Sequence, residues 1–152
     1  MRHLKLTLTL LIAAIALGLS SCDKTKELEG KWKMVSDLNQ AGLQVTYDFK
    51  PDGKLVQDMQ LTDESTKMKV IAQTVSTYSL DGDVLTIKTE VKDVNIKEFV
   101  MEGMDEETTK SIIEQQKQSM GNVTLKITDI EFIGNMMTGK VQGGPIKLQR
   151  IN

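Results

Sequence analysis

Residues 43–61 read LQVTYDFKPDGKLVQDMQL, and this stretch decides the fold class. On both sides of Pro51-Asp52-Gly53, apolar residues alternate with polar ones at the period of two that is typical of half-buried strands. Proline sets φ in the turn and glycine can adopt a positive φ, so the two strands form an antiparallel hairpin. The stretch therefore predicts a mostly β domain.

Similar alternating runs continue to the end of the chain. Residues 67–80 form a longer β-rich run, and the Asp-Gly-Asp turn at 81–83 leads it into a second hairpin. A late change of inward parity predicts a β-bulge near Thr128 or Asp129. Counted from Gly30, about eight or nine antiparallel strands result. We expect this up-and-down meander to close into a β-barrel, because closure removes the unpaired edges of the sheet.

One segment, about residues 104–120, has a different character. Its apolar residues follow helical spacing, and three acidic residues at 105–107 precede them. Acidic side chains stabilise the positive end of a helix dipole, so we interpret them as helix-stabilising and not as metal ligands. Gly121 stands at the position of a C-cap. The sequence therefore predicts a single helix inserted into the β chain.

Residues 1–21 have the layout of a signal peptide. A basic start precedes an apolar run over 6–19, which is shorter than the about 20 residues that a membrane-spanning helix needs. Residues 19–22, Leu-Ser-Ser-Cys, resemble the bacterial lipobox, in which the cysteine thiol receives a diacylglycerol before cleavage. Cys22 is the only cysteine, so an intramolecular disulfide is excluded. An ordinary secretory signal followed by an unmodified cysteine is the alternative.

The domain organisation follows from this signal. We predict cleavage after residue 21, lipidation at Cys22, a short charged tether over 22–29 and one barrel domain over 30–152. Acyl chains on Cys22 would hold the protein on a lipid bilayer in the cell envelope. We expect the outer membrane, on its periplasmic or surface face.

The composition excludes several classes of function. The formal net charge of the chain is −2, and removal of residues 1–21 deletes two basic residues, so no basic surface for nucleic acid is expected. His3 is the only histidine and lies in the signal peptide. Without histidine or a free thiol, serine and cysteine triads and the usual zinc sites are excluded. We therefore expect no enzymatic activity, no cofactor and no metal.

Three residues near the chain ends carry a family resemblance. The first strand contains Gly30-x-Trp32, antiparallel hairpins follow, and the last strand holds Arg150. This arrangement resembles the lipocalin and fatty-acid-binding-protein superfamily, and most closely the small lipocalin-like lipoproteins of Gram-negative bacteria. The resemblance implies that Trp32 plugs the closed end of the barrel and that Arg150 lies across it. A guanidinium over an indole face contributes ~0.5–2 kcal/mol.

Several polar residues share the inward parity of the apolar ones, as they do in pockets for small molecules. The candidate ligand-binding residues are Tyr47, Gln57, Met59, Thr74, Ser76, Tyr78 and Thr89.

Two functions compete at this point. The first is a non-catalytic, monomeric binder of a small apolar or amphipathic molecule. The second is an interaction module with a filled barrel, which docks a protein or a glycan on its outer surface. The partners expected for the first are the lipid bilayer, through Cys22, and a small hydrophobic ligand.

Overall fold

The computed structural model describes residues 24–36 and 41–151. The predicted signal peptide and Cys22 lie outside these residues. The elements are β1 (Gly30–Met34), β2 (Leu43–Phe49), β3 (Lys54–Asp63), β4 (Met68–Asp81), β5 (Val84–Thr89), β6 (Val94–Val100), α1 (Glu106–Met120), β7 (Val123–Ile133), β8 (Met136–Val141) and β9 (Gly144–Arg150). A short 3₁₀ turn occupies Val91–Asp93, and residues 24–28 are helical.

Eight of these strands close into an antiparallel barrel, which confirms the predicted fold class. The strands β1 to β5 pair in sequence, β5 pairs with β7, and β7 to β9 pair in sequence. Closure occurs where β1 pairs with β9, with Trp32 opposite Arg150 and Met34 opposite Leu148. The strands alternate between inward and outward side chains as the sequence predicts, so inward residues of neighbouring strands lie side by side around the barrel.

The ninth strand, β6, lies outside the closed barrel. It pairs with β4 along residues 69–74, whereas β5 pairs with the same edge of β4 along residues 77–81. The 14-residue length of β4 leaves room for both partners. A simple meander would place β6 between β5 and β7. Here β7 pairs directly with β5, because α1 returns the chain from the end of β6 to the end of β5.

Local turn chemistry behaves as predicted. Gly53 adopts a φ of 79° in the first hairpin, and Gly82 adopts 62° in the second. The predicted bulge is present in β7, where the register with β8 shifts between Thr128 and Glu131. Asp129 adopts a φ of 55° within this bulge. The shift turns Ile130 into the core, where it is 1% exposed.

Helix α1 ends at the predicted C-cap Gly121, and Asp105, predicted only as an acidic residue near the start, is its N-cap. The Asp105 side chain accepts a hydrogen bond from the Thr108 N–H at 2.8 Å. Gly121 is the C-cap, with an extended backbone at φ −93°. A Cβ on Gly121 would lie 2.4 Å from the Val91 Cα atom, so glycine is required by close approach. No α1 residue is buried.

The main core cluster lies at the end of the barrel where β1 begins. Trp32, Phe49, Leu55, Leu85 and Met137 are all at most 1% exposed and belong to this cluster, together with Leu28, Tyr78, Ile87, Ile127, Ile130 and Leu148. Leu28 falls in the predicted tether, yet it is fully buried in the cluster. The closed end of the domain therefore starts before Gly30, because the helical residues 24–28 deliver an apolar side chain under the barrel.

Candidate functional site

The closed end of the barrel is built around Trp32 and Arg150. The guanidinium carbon of Arg150 lies 4.3 Å from the Trp32 ring centroid, so the predicted contact is present. The Trp32 indole N–H donates to the Leu28 carbonyl at 2.7 Å. This polar end of the ring is therefore satisfied inside the core, as burial of an indole requires.

The Arg150 guanidinium is held by hydrogen bonds at this end. Its Nη1 donates to the Glu29 carbonyl at 2.7 Å, and its Nη2 donates to the Glu27 carbonyl. Gly30 makes room for the guanidinium, since a Cβ there would lie 2.9 Å from Arg150 Nη1. Arg150 thus ties the first residues of the domain to the last strand.

A polar row crosses three neighbouring strands farther from the closed end. Tyr47 on β2 lies opposite Gln57 on β3, and Gln57 lies opposite Thr74 on β4. All three have the inward parity of their strands, since the core residues Phe49, Leu55 and Tyr78 share it on β2, β3 and β4. Residues that face each other across adjacent strands have Cβ atoms only about 4.5–5.5 Å apart. The row is therefore a contiguous polar surface inside the barrel.

Thr74 is the unusual member of this polar row. It is 5% exposed, and its Oγ1 atom has no hydrogen-bond partner among the described residues. A buried hydroxyl without a partner costs about 1–3 kcal/mol. Among the described side chains, Thr74 Oγ1 is the buried polar atom that lacks a hydrogen-bond partner. A hydrogen bond from a molecule outside the chain would therefore be stabilising here.

Tyr47 contributes a neutral hydroxyl to the polar row. Burial raises the pKa of Tyr47 to about 12, because desolvation disfavours the phenolate. The phenol therefore stays protonated at physiological pH and can donate as well as accept a hydrogen bond.

Three of the other predicted ligand-binding residues are hydrogen-bonded within the protein. Ser76 Oγ and Thr89 Oγ1 lie 2.7 Å apart and satisfy each other. The Tyr78 hydroxyl donates to the Lys50 carbonyl at 2.7 Å, and its ring packs edge-on against Phe49. The structure thus brings Tyr47, Gln57 and Thr74 together. Ser76, Tyr78 and Thr89 are instead paired within the protein.

The remaining candidate, Met59, belongs to an apolar set above the polar row. It lies opposite Val45 and Ala72 on the neighbouring strands. Val45 and Ala72 are buried. Four other inward residues here are only half-buried and are not part of the core cluster: Leu43, Met59, Leu61 and Val70. The barrel is therefore densely packed at its closed end and more accessible at the other end, which we call the open end.

The inward face near the open end carries almost no charge. Among the described strand residues between Trp32 and the open end, Asp63 is the one charged residue on the inward parity. It lies at the last position of β3, and hydrogen bonds from Ser65 and Thr66 lower the pKa of its carboxyl. A charged ligand group inside the barrel would therefore have no opposite charge near the polar row.

Grooves on the outer wall have a different chemistry. One of about 650 Å³ lies beside Val35, Pro145 and Lys147, and it also reaches the inward residues Met34 and Ile146. Another of about 360 Å³ is lined mainly by charged residues such as Lys31, Asp48 and Lys50, and Tyr47 of the polar row also borders it. Thr74 lines neither groove. The mixed, solvated charges of the smaller groove do not mark an apolar ligand site.

The described residues hold no group of three His, Cys, Asp or Glu side chains placed to bind a metal ion. No helix among them is long and apolar enough to cross a membrane. No protein-family model matches the chain, and no curated protein matches it significantly.

Proposed function

We propose that this protein is a membrane-anchored envelope lipoprotein of the lipocalin-like type, whose barrel binds a small apolar or amphipathic ligand without catalysing a reaction. The observation that carries the proposal is the unpartnered, buried Thr74 hydroxyl inside a barrel whose inward positions are mostly apolar. Pockets for small molecules combine apolar walls with a few placed polar groups. The half-buried inward residues around Met59 supply such walls.

The closed end supports the lipocalin-like part of the proposal. The Trp32–Arg150 contact matches the arrangement that the resemblance implies, and it joins the first and last strands. Such a plug closes one end, so a ligand would enter from the open end. The anchor rests on the Leu-Ser-Ser-Cys motif at residues 19–22.

The anchor is tested with Cys22→Ala. We expect wild-type protein to partition into detergent and its mature N-terminus to carry acyl chains on Cys22, because two or more chains give stable membrane attachment. The variant should accumulate with its signal peptide uncleaved. Mass spectrometry of the N-terminus measures both results. A water-soluble wild-type product that begins at another residue would contradict lipidation.

Ligand binding is tested by photolabelling of the mature protein in lipid vesicles. The probe is an uncharged alkyl chain with a diazirine, and mass spectrometry maps the labelled residues. We expect labels on inward residues of β3 and β4. Met59→Trp should fill this space and weaken labelling about tenfold or more, which corresponds to ~1.4 kcal/mol.

Gln60→Trp is the matched control for this variant. Gln60 is the next residue on β3 and is exposed on the outer face, so the same side chain there should leave labelling unchanged. Labels confined to the outer wall, with no difference between the two variants, would overturn binding inside the barrel. That result would favour the interaction module with a filled barrel.

A further inference from the structure

We infer that the polar row of Tyr47, Gln57 and Thr74 receives an uncharged hydrogen-bonding group of the ligand, so that the barrel selects neutral amphiphiles such as alcohols, amides or esters over ionised fatty acids and alkylammonium cations. The inference rests on the proposed function and adds the ligand class and the residues that choose it.

The position of Thr74 supports a hydrogen bond between the ligand and the polar row. Its hydroxyl is buried and unpartnered, and it faces inward beside Gln57. The Ser76 hydroxyl lies two residues along the same face of the same strand, but it is paired with Thr89. The Thr74 hydroxyl in the polar row therefore lacks a partner, whereas the next inward hydroxyl on this strand has one.

The hydrogen-bonding capacity of the row fits a neutral group. A threonine hydroxyl, a glutamine amide and a protonated tyrosine each offer both a donor and an acceptor. A ligand hydroxyl or amide can pair with such groups in either direction. An ionised carboxylate can only accept from these groups, and a primary ammonium can only donate to them, so a neutral group is the one that uses both capacities of the row.

The distribution of charge excludes the ionised alternatives more strongly. Burial of a charge without an opposite charge or a full set of hydrogen bonds is far more costly than burial of a hydroxyl. Arg150, the cation on the inward parity of β9, is held by two backbone carbonyls and the Trp32 ring at the closed end. Asp63 is an anion at the open end and would repel a carboxylate on entry.

The experiment uses matched photoprobes on the mature protein in lipid vesicles at neutral pH. A diazirine-bearing decanol is compared with the corresponding decanoate, and labelling of the lipids normalises for partitioning. Unlabelled decanamide and decyltrimethylammonium serve as competitors. We expect the alcohol to label the inward residues of β3 and β4 at a concentration about tenfold or more below that of the decanoate. Decanamide should compete and the cation should not.

Thr74→Val tests the role of the hydroxyl, because valine has nearly the same shape. The variant should weaken labelling by the alcohol about fivefold to tenfold, the net effect of one hydrogen bond. Its midpoint of denaturation should not fall, since no internal hydrogen bond is lost. The matched control is Thr77→Val on the exposed face of β4, which should leave labelling unchanged.

The outcomes separate this inference from the proposed function. Equal or stronger labelling by the decanoate, or an unchanged response in Thr74→Val, overturns the neutral-ligand inference while binding inside the barrel stands. If neither probe labels the inward residues, the proposed function and the inference fail together.

Discussion

Replacement of Trp32 with alanine is expected to lower the free energy of unfolding by ~3–5 kcal/mol, the range for truncation of a large buried aromatic residue. Trp32 is fully buried, and its neighbours include Phe132, with the ring centroids 6.1 Å apart. The variant also loses the indole hydrogen bond to Leu28 and the ring under Arg150. Urea denaturation followed by far-ultraviolet circular dichroism measures the change.

Arg150→Lys is the companion to this variant and should cost less, ~1–2 kcal/mol. Lysine keeps the positive charge over the indole, but its single ammonium cannot reproduce the planar fork that reaches both Glu29 and Glu27. A loss below about 1 kcal/mol for Trp32→Ala would show that the closed end is not a packed plug, since such values are typical of surface substitutions.

Gly30→Ala has the second largest expected effect, a loss of ~1–3 kcal/mol in the free energy of unfolding. Gly30 adopts a φ of 109°, a conformation that side chains rarely accept, and its missing Cβ leaves room for Arg150 Nη1. Alanine therefore strains the backbone and displaces the guanidinium from the Trp32 ring. The same denaturation measurement reports the change.

Gly134→Ala gives the backbone cost in the left-handed region, and an Arg150→Lys background isolates the contact with the guanidinium. Gly134 also has a positive φ, 60°, but a Cβ there would meet nothing within 4 Å. This control should show only the backbone cost of the left-handed conformation, ~1–2 kcal/mol. Gly30→Ala should cost more than Gly134→Ala, and the excess should shrink in an Arg150→Lys background because the two sites are in contact. An effect of Gly30→Ala that is the same in the Arg150→Lys background would contradict a role for Gly30 in seating Arg150.

Much of the fold follows from local chemistry. The Pro51-Asp52-Gly53 turn and the alternation on either side fix a hairpin and its inward face, because a slip of one residue would expose the apolar set. The bulge in β7 is visible as a change of parity before Ile130, and the start of α1 is visible as Asp105 before a helical run. The approach of Trp32 to Arg150 was predictable from the resemblance, since closure of the barrel brings the first and last strands together.

The candidate site was predictable only in part. Parity alone selects the inward polar residues, but it cannot tell which of them have partners. Ser76 and Thr89 are 13 positions apart and satisfy each other, whereas Thr74 is left without a partner. Lipidation at Cys22 stays a prediction from the sequence, and binding of a ligand stays a proposal.

The sequence by itself determined the elements that depend on near neighbours: the turns, the strand faces, the bulge and the helix caps. Tertiary structure alone decided that β6 pairs with residues 69–74 of β4 and that Leu28 is buried. It also decided the need for glycine at position 121, beside Val91. Each of these depends on which distant segments meet, and the pairing of a strand edge or the space around a Cβ is set only when the barrel closes. The same closure leaves the Thr74 hydroxyl buried and unpaired.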